Sequence, residues 1–166
     1  VSSQTLEPTQ VAGFNQFFDD PTATDSTRYG LGFDHAISRR AAAGLEITRR
    51  KLIVPIINPI TGSVVEEDQQ QRTNRLYLHW LPTGRLGVAA EYYDEYFERD
   101  RLVTNLRTPG KLVTRSLPVT LTYSHPNRWF GKVRATGVAQ EIEGSAVGRG
   151  EDRFWLCDLS VGYRLP

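Results

Sequence analysis

At 166 residues with 20 Lys and Arg against 19 Asp and Glu, the chain has the size of one domain and a formal charge of +1, which removes the basic surplus expected of a nucleic-acid binder. One cysteine, Cys157, excludes an internal disulfide and a multi-thiolate metal site, and no run approaches the roughly 18 apolar residues of a membrane-spanning helix. A mean hydropathy of −0.40 leaves a transmembrane barrel open, because only one face of each barrel strand is apolar.

Apolar residues recur at a spacing of two rather than at helical spacing, and eight strands are expected: 10–18, 26–37, 42–51, 71–81, 85–97, 113–124, 129–141 and 153–165. The first sets Ala12, Phe14 and Phe18 against Thr9, Gly13 and Asn15. In the second, Tyr29, Leu31, Phe33 and Ile37 oppose Arg28, Gly30, Gly32 and Asp34. The third sets Ala43, Leu45 and Ile47 against Gly44, Glu46, Thr48 and Arg50, and the fourth Leu76, Leu78 and Trp80 against Arg75, Tyr77 and His79. The fifth holds the helix-favouring Ala89, Ala90 and Glu91, but Leu86, Val88, Ala90 and Tyr92 still alternate with Gly87, Ala89, Glu91 and Tyr93, which reads as strand. In the sixth, Leu117, Val119, Leu121 and Tyr123 oppose Ser116, Thr120 and Thr122, while Pro118 interrupts the ladder and predicts a bulge or a strand that begins after it. The seventh sets Val133, Ala135 and Ala139 against Lys132, Arg134, Thr136 and Gln140. The eighth sets Trp155, Cys157, Leu159, Val161, Tyr163 and Leu165 against Asp158, Ser160, Gly162 and Arg164.

The connections at 38–40, 82–84 and 125–128 are short, and those at 19–26, 52–70, 98–112 and 142–152 are longer and polar. This alternation matches outer-membrane barrels, which have tight periplasmic turns and longer outer loops. Trp80, Tyr123, Trp129 and Phe130 sit beside the short turns. Phe14, Phe17, Phe18, Tyr92, Tyr93, Tyr96, Phe97, Phe154 and Trp155 sit toward the long-loop ends, giving two aromatic bands such as membrane interfaces favour.

Alternation alone does not separate lipid outside from an apolar interior, and a soluble lipocalin-like calyx shares the period. Glycines and charges of mixed sign on the polar face, together with the uneven loops, favour lipid outside. The expected lumen-facing residues are then Arg28, Asp34, Glu46, Arg50, Arg75, Tyr77, His79, Glu91, Tyr93, Lys132, Arg134, Asp158 and Arg164. The expected lipid-facing residues on the first four strands concerned are Leu31, Phe33, Leu45, Ile47, Leu76, Leu78, Trp80 and Val88. On the later strands they are Leu117, Val119, Leu121, Tyr123, Val133, Trp155, Leu159, Val161 and Tyr163.

The stretch Leu-Pro-Val-Thr-Leu-Thr-Tyr-Ser-His-Pro at 117–126, followed by Phe-Trp-Leu-Cys-Asp-Leu-Ser-Val-Gly-Tyr-Arg-Leu-Pro at 154–166, resembles the late strands of TonB-dependent receptor barrels. The chain as a whole resembles the barrel of outer-membrane proteins that carry tetratricopeptide repeats upstream, with Phe17–Phe33 and Gly44–Arg50 contributing. The resemblance implies an all-β, antiparallel up-and-down transmembrane barrel in a bacterial outer membrane, with eight strands in this chain as the later part of a larger barrel. A plug domain and a TonB-box segment are not recognisable in it. The chain opens Val1-Ser2-Ser3-Gln4 and stops just after a strand-like stretch, so residues 1–166 are expected to form a single segment cut from a longer protein. Its implied partners are outer-membrane lipid, the remaining strands of the parent chain and a transported solute or polymer, without nucleic acid or cofactor.

The function expected first is an energised receptor, and second an export pore attached to periplasmic repeats. A non-transporting anchor or adhesion barrel and the soluble calyx are the remaining classes. An enzyme is not expected, because His35, His79 and His125 are scattered, and the same scatter gives no metal-ligand spacing. Glu66-Glu67-Asp68 reads as a solvated loop and Gly148-Arg149-Gly150 as a loop without the helix a phosphate cradle needs. Glu91, Tyr93 and Glu95 either line a solute path or pair with Arg75 or Arg50.

Overall fold

The computed structural model describes residues 5–11, 14–20, 23–58, 61–100, 110–145 and 148–165, with side chains for those from Ala23 onward except Ser145. These form nine strands and no helix: β1 (Thr5–Val11), β2 (Phe14–Asp20), β3 (Asp25–Ser38), β4 (Ala41–Ile57), β5 (Val64–Trp80), β6 (Leu86–Arg99), β7 (Lys111–Ser124), β8 (Trp129–Ser145) and β9 (Gly148–Tyr163). β3 to β9 make one seven-stranded antiparallel sheet in sequence order, and β1 pairs with β2 in a separate two-stranded sheet. The sheet is open, with β3 and β9 as its edges, so these strands do not by themselves close the expected barrel.

The short turns come from local chemistry. The Arg39–Arg40 turn is braced by the Arg40 amide, which donates to Ser38 Oγ at 3.1 Å. Thr83 Oγ1 accepts the Arg85 and Leu86 amides at 3.3 and 3.1 Å, an ST-type turn. At the third turn Arg128 adopts φ 68°, and His125 Nδ1 accepts the Asn127 amide at 3.2 Å.

Several expectations are corrected here. The single strand at 10–18 is two strands, with Val11 opposite Phe14; Ala12 and Gly13 lie outside the described residues, and the side chains of Thr9, Phe14, Asn15, Phe17 and Phe18 are not described. The loops at 52–70 and 142–152 are largely strand: β4 and β5 stay paired out to Ile57↔Val64, and β8 and β9 out to Ser145↔Gly148. Glu66-Glu67-Asp68 is therefore ladder, opposite Pro55, Val54 and Ile53, and Gly148-Arg149-Gly150 opens β9. The β-branched run Ile53, Val54, Ile56 and Ile57 facing Val64 and Val65 suits a strand pair even where polar residues lie around it. The chain is long on that side because hairpins prolong the strands.

Pro118 neither bulges the strand nor starts it. β7 runs from Lys111, and its register to β6 is the same before and after the proline (Tyr93↔Ser116, Ala90↔Val119). Only the β6 side loses ladder pairs there, while Pro118↔Thr136 continues on the β8 side. Both polar groups of a strand residue face one neighbour, so a missing N–H disturbs one ladder only.

Among the described residues the buried apolar side chains are Leu52, Val54, Val113 and Pro118. Leu31, Phe33, Trp155 and Leu159 are by contrast 71%, 63%, 73% and 75% exposed. These exposed apolar residues share one face of the sheet, and among the described residues no other element packs on them.

Candidate functional site

The register fixes which residues share that face, since paired residues of an antiparallel ladder point the same way and alternate residues point oppositely. At one level stand Phe33, Leu45, Leu76 and Tyr92, continued by Leu117, Gly137 and Trp155. The next level holds His35, Ala43, Leu78, Ala90, Val119, Ala135 and Cys157. Below it come Ala41, Trp80, Val88, Leu121, Val133 and Leu159, and then Tyr123, Val161, Trp129 and Tyr163 at the turns. On β9 this belt runs nine residues, from Trp155 to Tyr163, which is the length a barrel strand tilted by about 45° needs to cross a hydrocarbon layer.

Aromatics border the belt on both sides. Trp80, Tyr123, Trp129 and Tyr163 stand at the turn end, with the Trp129 and Tyr163 rings 5.1 Å apart. Phe33, Tyr92 and Trp155 stand at the other border, and Trp155 lies across Gly137, where a Cβ would approach its ring to 3.2 Å. The expected bands are corrected in membership: Tyr93, Phe97, Phe130 and Phe154 fall on the opposite face.

The opposite face carries the charges. Glu46, Arg75 and Tyr93 stand in one row across β4–β6, and Gly44, Tyr77 and Glu91 in the next. Arg75 donates from Nη1 to Glu46 Oε1 at 3.0 Å, and from Nε and Nη2 to Glu91 Oε2 at 3.0 and 2.9 Å. The Tyr93 hydroxyl also donates to Glu91 Oε2. The Arg75 guanidinium lies 4.7 Å from the Tyr77 ring centre and 5.6 Å from that of Tyr93. Tyr77 fits only because residue 44 is glycine, since a Cβ there would fall inside the tyrosine ring's van der Waals surface; Phe130 sits on Gly162 in the same way. Arg75 is thus held from four sides, in a fixed cluster on the polar face whose two carboxylates outnumber its one cation.

The remaining polar-face residues distribute around this cluster. His79 tilts against Tyr77 with ring centres 5.4 Å apart. It borders a hollow of about 530 Å³ at the turn end, shared with Ala42, Leu81, Gly87, Ala89 and Thr122. Lys132, Arg134, Asp158 and Ser160 surround a second hollow of about 320 Å³ on β8 and β9. Arg164, just past β9, lies 5.8 Å from the Phe130 ring. Asp34 is exposed on edge strand β3, opposite Gly44. Arg28 and Arg50 stand opposite each other beyond the belt, where Arg50 is 6% exposed and donates to Ser26 Oγ at 3.0 Å and Gln71 Oε1 at 3.4 Å.

Of the triad Glu91, Tyr93 and Glu95, the first two join Arg75, whereas Glu95 stands opposite Thr73 and Thr114. His35 and His79 point from opposite faces and His125 sits in a turn, while Asp158 is four strands from His79, so the structure gathers no histidine-based acid–base set from them. Among the described residues no group of three or more His, Cys, Asp or Glu is placed to hold a metal ion, and no helix is long and apolar enough to cross a membrane.

Sequence reasoning missed a charged zone on the belt's own face. Just beyond Leu31 and Ile47, a hydrogen-bonded chain crosses β4 to β8. Arg49 donates to Asn74 and Asn74 to Asp94, each at 3.0 Å, and Arg72 lies 3.6 Å from Asp94. Arg115 then bridges Asp94 at 3.5 Å and Glu141 at 3.3 Å. The signal was present: past Ile47 and before Leu76, the positions of belt parity switch from apolar to Arg49, Arg72 and Asn74. No family model, curated protein or solved structure matches the chain.

Proposed function

We propose that β3–β9 are wall strands of a transmembrane β-barrel in a bacterial outer membrane, with the apolar belt against lipid and the Arg75 face toward a lumen that serves passage of a solute, ligand or polymer. The observation that carries this reading is the uncovered apolar belt bordered on both sides by aromatic residues. In water such a face would demand a second layer, and in lipid it needs none. The two edges fit the same account. The belt continues undiminished to β3 and β9, and a sheet in lipid must pair its edges, so further strands of the parent chain complete the ring.

An energised receptor of the TonB-dependent type is the first candidate for the parent protein, supported by the resemblance of the late strands. The fixed Arg75–Glu46–Glu91 cluster and the Lys132–Arg134 pair would set the lumen's charge selectivity, and the long hairpins beyond the belt would make first contact with ligand. The test is the full parent chain refolded into phosphatidylcholine liposomes. The reading predicts that unheated protein migrates differently from heated protein on a gel and that the liposomes conduct ions or take up solute. Monodisperse protein in plain buffer would refute the membrane placement. Insertion with a sealed bilayer would refute open passage and leave an anchor or a receptor that opens only when energised.

A further inference from the structure

On the belt's own face, beyond its loop-end border, lies a groove of about 400 Å³. Tyr29, Arg49, Arg72 and Tyr96 form one row across β3–β6, two residues past Leu31 and Ile47, roughly 7 Å along the strands. Lys51 stands in the following row. The groove has no carboxylate in its lining.

The neighbouring cations are matched, whereas of Arg49, Lys51 and Arg72 only Arg72 meets a carboxylate among the described residues, through one contact. Arg115 is shared by Asp94 and Glu141, and Lys111 lies 3.7 Å from Glu143. Arg49 has neutral partners, the Thr48 carbonyl and Asn74 Oδ1, both at 3.0 Å. Arg72 touches Asp94 through Nη2, its guanidinium lies 5.2 Å from the Tyr96 ring centre, and its buried Nε has no hydrogen-bond partner. Burial lowers the pKa of Arg49, and crowding by the facing Arg72 lowers it further against the opposing pull of Tyr29 and Asp94. An anion would relieve that crowding, and forked guanidiniums suit phosphate oxygens.

Position selects the source of the anion. If the belt meets acyl chains, this groove lies at headgroup depth, flanked by two tyrosines of the kind that settle at that interface. Resting on the membrane reading above, we propose that Arg49, Lys51 and Arg72 bind the phosphate of an anionic lipid headgroup on the outside of the barrel wall.

The test uses the full parent chain in neutral detergent micelles, with native mass spectrometry counting retained phosphatidic acid against phosphatidylcholine. Retention of phosphatidic acid is expected to fall about tenfold or more in Arg49→Gln/Lys51→Gln/Arg72→Gln, the scale of losing charge-assisted hydrogen bonds. It should stay unchanged in Lys132→Gln/Arg134→Gln on the other face. Equal retention by the triple variant would overturn the proposal, as would displacement by inorganic phosphate at lipid-equivalent concentration, which marks a plain anion site. A wild-type chain that fails to insert into liposomes overturns this proposal together with the membrane reading. Insertion without phosphatidic acid preference overturns this one alone.

Discussion

Arg75 gives the sharpest perturbation of the polar face. Its guanidinium makes three charge-assisted contacts at 2.9 to 3.0 Å with Glu46 and Glu91. The three side chains are 26%, 21% and 22% exposed, so they are mostly withdrawn from water. Arg75→Gln leaves two carboxylates facing one strand with no cation between them, in place of a cluster with a single net negative charge. Breaking a fully buried pair costs about 3–5 kcal/mol, and the residual exposure here brings the expectation to about 2–3 kcal/mol. Glu46→Gln removes one contact and leaves Arg75 paired with Glu91, for about 1 kcal/mol or less. Glu91→Gln falls between, since that carboxylate also accepts from Tyr93. Urea unfolding of the parent chain from phosphatidylcholine vesicles measures all three. Were this face open to bulk water, each change would cost about 0–1 kcal/mol and the order would vanish. A flat series would refute the argument.

Three other outcomes follow from the same geometry. Gly44→Val must expel the Tyr77 ring and should cost about 1–3 kcal/mol, with Tyr77→Ala in the same chain restoring most of the loss in the unfolding assay. Arginine at Leu78, in the middle of the belt, should cost about 2–4 kcal/mol of stability in vesicles, while arginine at Tyr163, beside the turn, should cost about 0–1 kcal/mol. Pro118→Thr should be tolerated without any shift of strand register, because the ladder already runs straight past it, and backbone amide exchange at Glu91, whose polar groups face β7, should slow as the β6–β7 pairing closes.

What was legible in the sequence follows from the period of two. Within the belt every second residue has to be apolar, so the two faces of β3–β9 could be separated residue by residue, down to Arg75, Tyr77 and His79 opposing Leu76, Leu78 and Trp80. Beyond the belt the constraint lapses, because both faces of a hairpin that leaves the apolar layer can be polar. The outer ends of β5, β8 and β9 therefore read as loops, and the apolar end of β4, Leu52 to Ile57, falls in with the polar stretch that follows it. Glu67 illustrates the cost: in the acidic run it reads as solvated, yet in the ladder it is 3% exposed and hydrogen-bonded to Gln69. The Arg75 cluster was half legible, since parity put Glu46, Arg75, Glu91 and Tyr93 on one face. Which of them meet depends on register, and register depends on the turns. The division into β1, ending at Val11, and β2, beginning at Phe14, was missed because apolar residues continue from one to the other and mimic one strand.

The most direct test of the central claim is a nitroxide scan of β7 in the parent chain reconstituted in phosphatidylcholine bilayers. Labels at Leu117, Val119 and Leu121 should collide with dissolved oxygen and be shielded from a water-soluble nickel chelate, while labels at Ser116, Thr120 and Thr122 should show the reverse. The account predicts that period of two, in that phase. An inverted phase, or uniform contact with the nickel chelate along the strand, would contradict it.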